Sequence, residues 1–134
     1  MRAHDNHIIG YAVDGIGQQI VLHTENREVP VPHPNLDIVF DGVVTHQFRW
    51  ANLVSILYGV RECPLVSSLA SREAEIEAGF AQCGWPEMWR TTPEASRAQV
   101  RALEAAGFKF FEIDASIGFD GWIIAKGFRL IDVT

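Results

Sequence analysis

The stretch FKFFEIDASIGFDGWIIAKGFRLIDV, residues 108–133, decides the fold. Phe108–Ile117 and Gly121–Val133 are runs rich in β-branched and aromatic residues, and Gly118-Phe119-Asp120-Gly121 between them carries tight-turn chemistry. Phe111, Ile113 and Ala115 alternate onto one face of the first run, while Trp122 and Ile124 share a face of the second. A C-terminal β-hairpin is the expectation.

Upstream of this hairpin the period changes from two to that of a helix. Thr92 is placed to cap, Pro93 to occupy the first helical position, Glu94 to meet the helix dipole, and Gly107 to end the turn. The inner stripe of this helix is Ser96, Val100 and Leu103, with Arg97, Arg101 and Glu104 on or near the solvated side. An earlier helix is expected over Arg72–Cys83, with Ile76, Phe80 and Cys83 inward and Gly84 at its end. Glu73, Glu75 and Glu77 are assigned to its opposite side.

The first half reads as strands. Ile8–Val13 and Gln19–Thr24 flank the turn Asp14-Gly15-Ile16-Gly17, and Pro30, Pro32 and Pro34 hold the following loop extended. Leu36–Phe40, Val43–Trp50 and about Val54–Arg61 complete five strands joined by short connections, which predicts an antiparallel meander. The whole is a single α+β domain spanning residues 1–134. Its sheet is mostly antiparallel with about seven strands, in the order five strands, two helices, two strands. The helices pack on one face, and residues 1–6 form a flexible tail.

Composition narrows the function classes. Among 134 residues, 17 acidic against 11 basic side chains give a net charge of −6, which disfavours a binder of nucleic acid that works by phosphate neutralisation. Residues 1–62 and 63–134 are each net −3, so no acidic tail exists. No run approaches the roughly 18 apolar residues of a membrane-spanning helix, and Met1–Asn6 lacks a signal-peptide pattern. Cys63 and Cys83 have neither metal-ligand spacing nor disulfide-scaffold density, so reduced thiols in a cytoplasmic protein are expected, with a Cys63–Cys83 bridge left open.

No complete catalytic constellation emerges. His4 and His7 form an H-x-x-H, but in a terminal segment without a third ligand, and no metal or cofactor is expected. Gly15-Ile16-Gly17 lacks the third glycine of a dinucleotide fingerprint, since Ile20 stands there. Glu112 and Asp114 project to one strand face, read as a solvated outer surface. His23 and His33 belong to no recognisable constellation. His46, alternating with Val44 and Phe48, reads as a structural histidine, though His46 with Cys63 or an acidic group is the arrangement an enzyme or metal site would use. Trp85 and Trp89 bracket Pro86-Glu87-Met88 in the connection between the helices; such loop aromatics plug the end of a small core, the favoured reading, or anchor a partner, and in the second reading Trp85, Met88 and Trp89 with Glu73 and Glu77 are the candidate partner-binding residues.

Ile9-Gly10-Tyr11-Ala12-Val13-Asp14, Ile20–Thr24, Val44-Thr45-His46-Gln47-Phe48, Gly84-Trp85-Pro86 and Ser116–Lys126 together resemble a group of small, uncharacterised bacterial cytoplasmic proteins. The S-x-G-x-x-G-W-I-x-A-K stretch is the most specific of these segments. The resemblance implies no catalytic residues. In size and build the chain is similar to immunity proteins of bacterial toxin systems, many of them small acidic α+β proteins, which implies a soluble, non-enzymatic protein that masks a cognate toxin. The alternatives are the small enzyme or metal protein built on His46, and a homodimeric structural or small-molecule-binding module joined through a sheet edge; both monomer and homodimer stay open.

Overall fold

The computed structural model describes residues 2–49, 54–83 and 93–133. Five strands come first: β1 (His7–Asp14), β2 (Gln19–Glu25), β3 (Asn35–Asp41), β4 (Thr45–Arg49) and β5 (Ile56–Cys63). Three helices follow, α1 (Leu65–Ala70), α2 (Glu73–Cys83) and α3 (Pro93–Ala105), and then β6 (Lys109–Ile117), β7 (Asp120–Ala125) and β8 (Gly127–Val133). The single α+β domain with its antiparallel sheet and packed helices is as expected from the sequence, with eight strands and three helices among the described residues in place of the seven and two expected. The extra helix, α1, starts directly after Pro64 and buries Leu65 and Leu69, an i,i+4 pair too short to stand out as a periodic stripe.

The hairpin of β6 and β7 pairs Phe110 with Ile124, Phe111 with Ile123 and Ile113 with Gly121. Gly118 turns it at φ +83°, where a Cβ would lie 2.5 Å from the Val54 carbonyl oxygen, so glycine is required by both backbone and space. The run 121–133 is not one strand. It breaks at Lys126, whose N–H donates to the Asp41 carbonyl, and β8 leaves β6 to pair with β3 over its full length. The opposing chain bends at the same level, where Gly42 has φ +64° between β3 and β4.

These two bends curl the sheet. The strand order is β4-β7-β6-β5-β1-β2-β3-β8, so in a flat sheet β7 and β8 would lie six strand spacings apart, roughly 29 Å. Only Lys126 separates them, and two peptide steps reach about 7 Å. The two ends of the sheet must therefore meet. The order also departs from a simple meander, because β5 sits between β1 and β6 and has no ladder with β4.

Inside the curl lies the main core, with Ile20, Leu22, Ile38, Phe40, Leu57, Ile113 and Ile123 fully buried. A second core fills the space between helices and sheet: Leu65, Leu69, Ile76 and Val100 meet Phe110, Trp122 and Ile124. Strand β7 alternates between the two cores, which is why Gly-Trp-Ile-Ile-Ala is apolar without interruption.

Residues 2–6 are no flexible tail. Ala3 is fully buried, the Asp5 N–H donates to the Leu57 carbonyl, and the Leu57 N–H donates to that of Asn6. The buried Asn6 amide donates to Thr24 Oγ1, which in turn donates to the Leu36 carbonyl. The segment closes the seam between β1 and β5, whose ladder is one residue pair long, with backbone hydrogen bonds and the Asn6 side chain.

Candidate functional site

Registry brings charge together on the helix-facing side of the sheet. Arg61 on β5 stands opposite Glu112 on β6, which stands opposite Trp122 on β7. Both Glu112 oxygens are bound by guanidinium groups, one from Arg61 and the other from Arg72 at 2.7 Å. Arg72 also stands over the Phe110 ring and reaches Glu75 at 3.6 Å. Glu75 accepts from Trp122 Nε1 at 3.3 Å and pairs with Arg49 at 3.3 Å, and Arg49 reaches Asp120 at 3.4 Å. Asp114 lies 3.6 Å from Arg61.

This network corrects two expectations. Glu112 and Asp114 are not a freely solvated pair, since Glu112 is only 20% exposed and doubly bonded. Glu75 does not share a surface with Glu73 and Glu77. Residues two apart on a helix lie on opposite sides, so Glu75 turns toward the sheet while Glu73 pairs with Arg97 of α3 at 3.0 Å and Glu77 stays exposed.

Cys63 is a free thiol at the margin of this network. Burial pushes its pKa up, and Glu112 and Asp114 add to the effect while Arg61 and Arg72 oppose it. Such surroundings hold the thiol protonated, the reverse of an activated nucleophile. Burial likewise raises the Asp114 carboxyl, with Arg61 opposing and Glu112 and Asp120 reinforcing.

His46 and Cys63 do not converge. His46 pairs with Ile123 on the core-facing side of β4 and packs edge-on against Phe48 at 4.9 Å, whereas Cys63 pairs with Phe110 on the helix-facing side. Burial lowers the His46 pKa. His4 lies 3.2 Å from Asp5 and edge-on to Tyr58, and no cluster of three metal-ligating side chains occurs among the described residues. Trp85, Met88 and Trp89 fall outside the described residues.

The structure adds a pair the sequence did not disclose. His23 Nδ1 lies 2.8 Å from Asp37 Oδ1, directly across the β2–β3 ladder. The signal was available only through register, because thirteen residues separate the two in the chain. It also builds a cleft of about 510 Å³ where β5 passes into α1 and α3 into β6, with Leu65 and Phe108 among its walls and Glu62, Glu104 and Lys109 among its polar lining. Glu104 Oε2 accepts the Val66 N–H at 3.0 Å, so a residue of α3 caps the first turn of α1.

No helix among the described residues is long and apolar enough to cross a membrane. Comparison with protein-family models, curated proteins and solved structures finds no match to this chain.

Proposed function

We propose that this chain is a non-enzymatic, cytoplasmic interaction protein that binds and masks a protein partner with a basic surface, in the manner of an immunity protein and its cognate toxin. The observation that carries this reading is the sorting of charge. Among the described residues, Arg101 and Lys126 are the basic side chains outside ion pairs; Arg2, Arg27, Arg49, Arg61, Arg72, Arg97, Lys109 and Arg129 are each engaged by a carboxylate. The excess of acid therefore stands outward and unmatched, with Glu77 and Glu94 exposed on α2 and α3. A field of this sign speeds encounter with a basic partner and makes binding sensitive to salt.

The connection between those two helices supplies Trp85, Met88 and Trp89 in the sequence as apolar anchors, flanked by Glu73 and Glu77. The mechanism is occlusion, needing no cofactor and no metal. Co-expression with the product of the adjacent gene, followed by purification on a tag carried by either protein, tests the reading. A stable complex that weakens as salt rises supports it; no complex with any product of the flanking genes overturns it.

A further inference from the structure

We infer that the free edge of β1, residues Gly10–Asp14, is where a second copy of this chain adds, so that two sheets join through antiparallel β1 strands about a two-fold axis. The inference goes beyond the partner reading and stands without it. β1 pairs with β5 through His7 alone, and past the bulge at Ile9 the stretch Gly10–Asp14 pairs with β2 only. On its other side alternate backbone N–H and carbonyl groups therefore have no ladder partner among the described residues. The remaining free edges carry features that discourage pairing: β4 is five residues long and bears Arg49, β5 bears Arg61 and Glu62, and β8 bears Arg129 and Asp132. The β1 edge has no such protection. Ile8–Val13 holds no charge and no proline, and its Ile9, Tyr11 and Val13 are each about half exposed, at 51%, 45% and 49%.

Side-chain pattern decides which strand fits this edge. Tyr11 and Val13 stand opposite the buried Leu22 and Ile20, so they belong to the core-facing side, where Tyr11 meets Phe48 and Phe119 edge-on at 4.9 and 6.2 Å. A strand laid beside β1 must bring apolar residues to that side at a spacing of two, and small ones to the other, where Gly10 and the exposed Ala12 stand. β1 itself meets that description. Pairing about Ala12 sets Tyr11 of each copy beside Val13 of the other, an aromatic–β-branched cross-strand pair made twice, and Ala12 against Ala12. It also brings each hairpin tip, with Ile16 97% exposed, to the level of Ile8 and Ile9 of the other copy. Charge permits this match although the chain is net −6. Asp14, the single charged residue of the stretch, falls opposite Gly10, which leaves the two Asp14 residues about 14 Å apart along the ladder, beyond a Debye length at physiological salt. A basic partner, by contrast, finds no carboxylate between Ile8 and Val13 to recognise.

Sedimentation velocity of the full chain over a concentration series tests the edge, with Ala12→Lys, Ala12→Glu and their equimolar mixture beside the parent. The parent is expected to pass from monomer to dimer below about 1 mM. Each variant sets two like charges directly opposite one another across the axis and should weaken dimerisation about fivefold or more. Its near-ultraviolet circular dichroism should match the parent's at low concentration, because Ala12 is exposed. The mixture, with lysine facing glutamate, should regain the parent's dimer. A parent that stays monomeric at about 1 mM overturns the inference. So does a dimer that persists unchanged in both variants, or one lost in both and not restored on mixing. No partner enters these measurements, so their failure and that of the partner search are separate results.

Discussion

Glu112 shows how much a single carboxylate carries when both of its oxygens are engaged. It joins β6 to β5 through Arg61 and to the start of α2 through Arg72, beside the second core. Glu112→Gln leaves Arg72, itself only 20% exposed, facing a neutral amide, and the expected cost is about 1–3 kcal/mol. Glu73→Gln breaks an exposed pair with Arg97 and should change stability by less than about 0.5 kcal/mol. Urea unfolding of the two variants at unchanged m-value separates them; equal effects would contradict the assignment. His46 provides a pH signature. Burial lowers its folded pKa below the unfolded value of about 6.5, so the unfolded chain takes up the proton first, and stability contributed above that value is lost as pH falls toward the folded pKa. His46→Phe should flatten the stability profile just below about pH 6.5 relative to the parent. An unchanged profile would mean the ring is solvated. His46 was legible as a structural histidine from its alternation with Val44 and Phe48, whereas the role of Glu112 was not, because it depends on which strand lies opposite.

Among the elements, local chemistry was the legible part. The β6–β7 turn, the stop of α3 at Gly107 and the inward stripe of Ser96, Val100 and Leu103 follow from turn residues and helical spacing, and all three stand in the structure. What escaped the reading was decided over long range. The bend at Lys126 is written as an unremarkable Ala-Lys-Gly, and only the hydrogen bond to Asp41 marks it. Residues 2–6 look like a solvated end because His4, Asp5 and Asn6 are polar, yet the backbone of Asp5 and Asn6 pairs with Leu57 of β5 and the Asn6 side chain with Thr24 of β2. Removing residues 1–6 should therefore destabilise the chain by about 2–5 kcal/mol, through the exposed seam, the lost Ala3 packing and the orphaned Leu57 N–H. Asn6→Ala alone should cost about 1–2 kcal/mol. A truncated chain with the parent's melting temperature would restore the flexible-tail description.

The whole molecule is a sheet curled around one core with helices sealing part of its outside, and its charge is arranged by that shape. Among the described residues the basic side chains other than Arg101 and Lys126 are drawn into ion pairs, leaving carboxylates as the larger share of the unmatched groups. The net charge of −6 was legible from composition, but its sorting was not, since ion pairs such as Arg61–Glu112 and Arg129–Asp41 join residues 51 and 88 positions apart. The candidate residues divide in the same way. Glu73 and Glu77 were found from the helix pattern, although Glu73 is paired with Arg97 and Glu77 is the freer of the two; the free edge of β1 required the fold. The central claim, that the chain masks a basic protein partner, is tested most directly by growth of cells expressing the adjacent gene's product with and without this chain. Growth arrest relieved by co-expression of this chain is the predicted result. Arrest that persists while this chain is present and folded would contradict it.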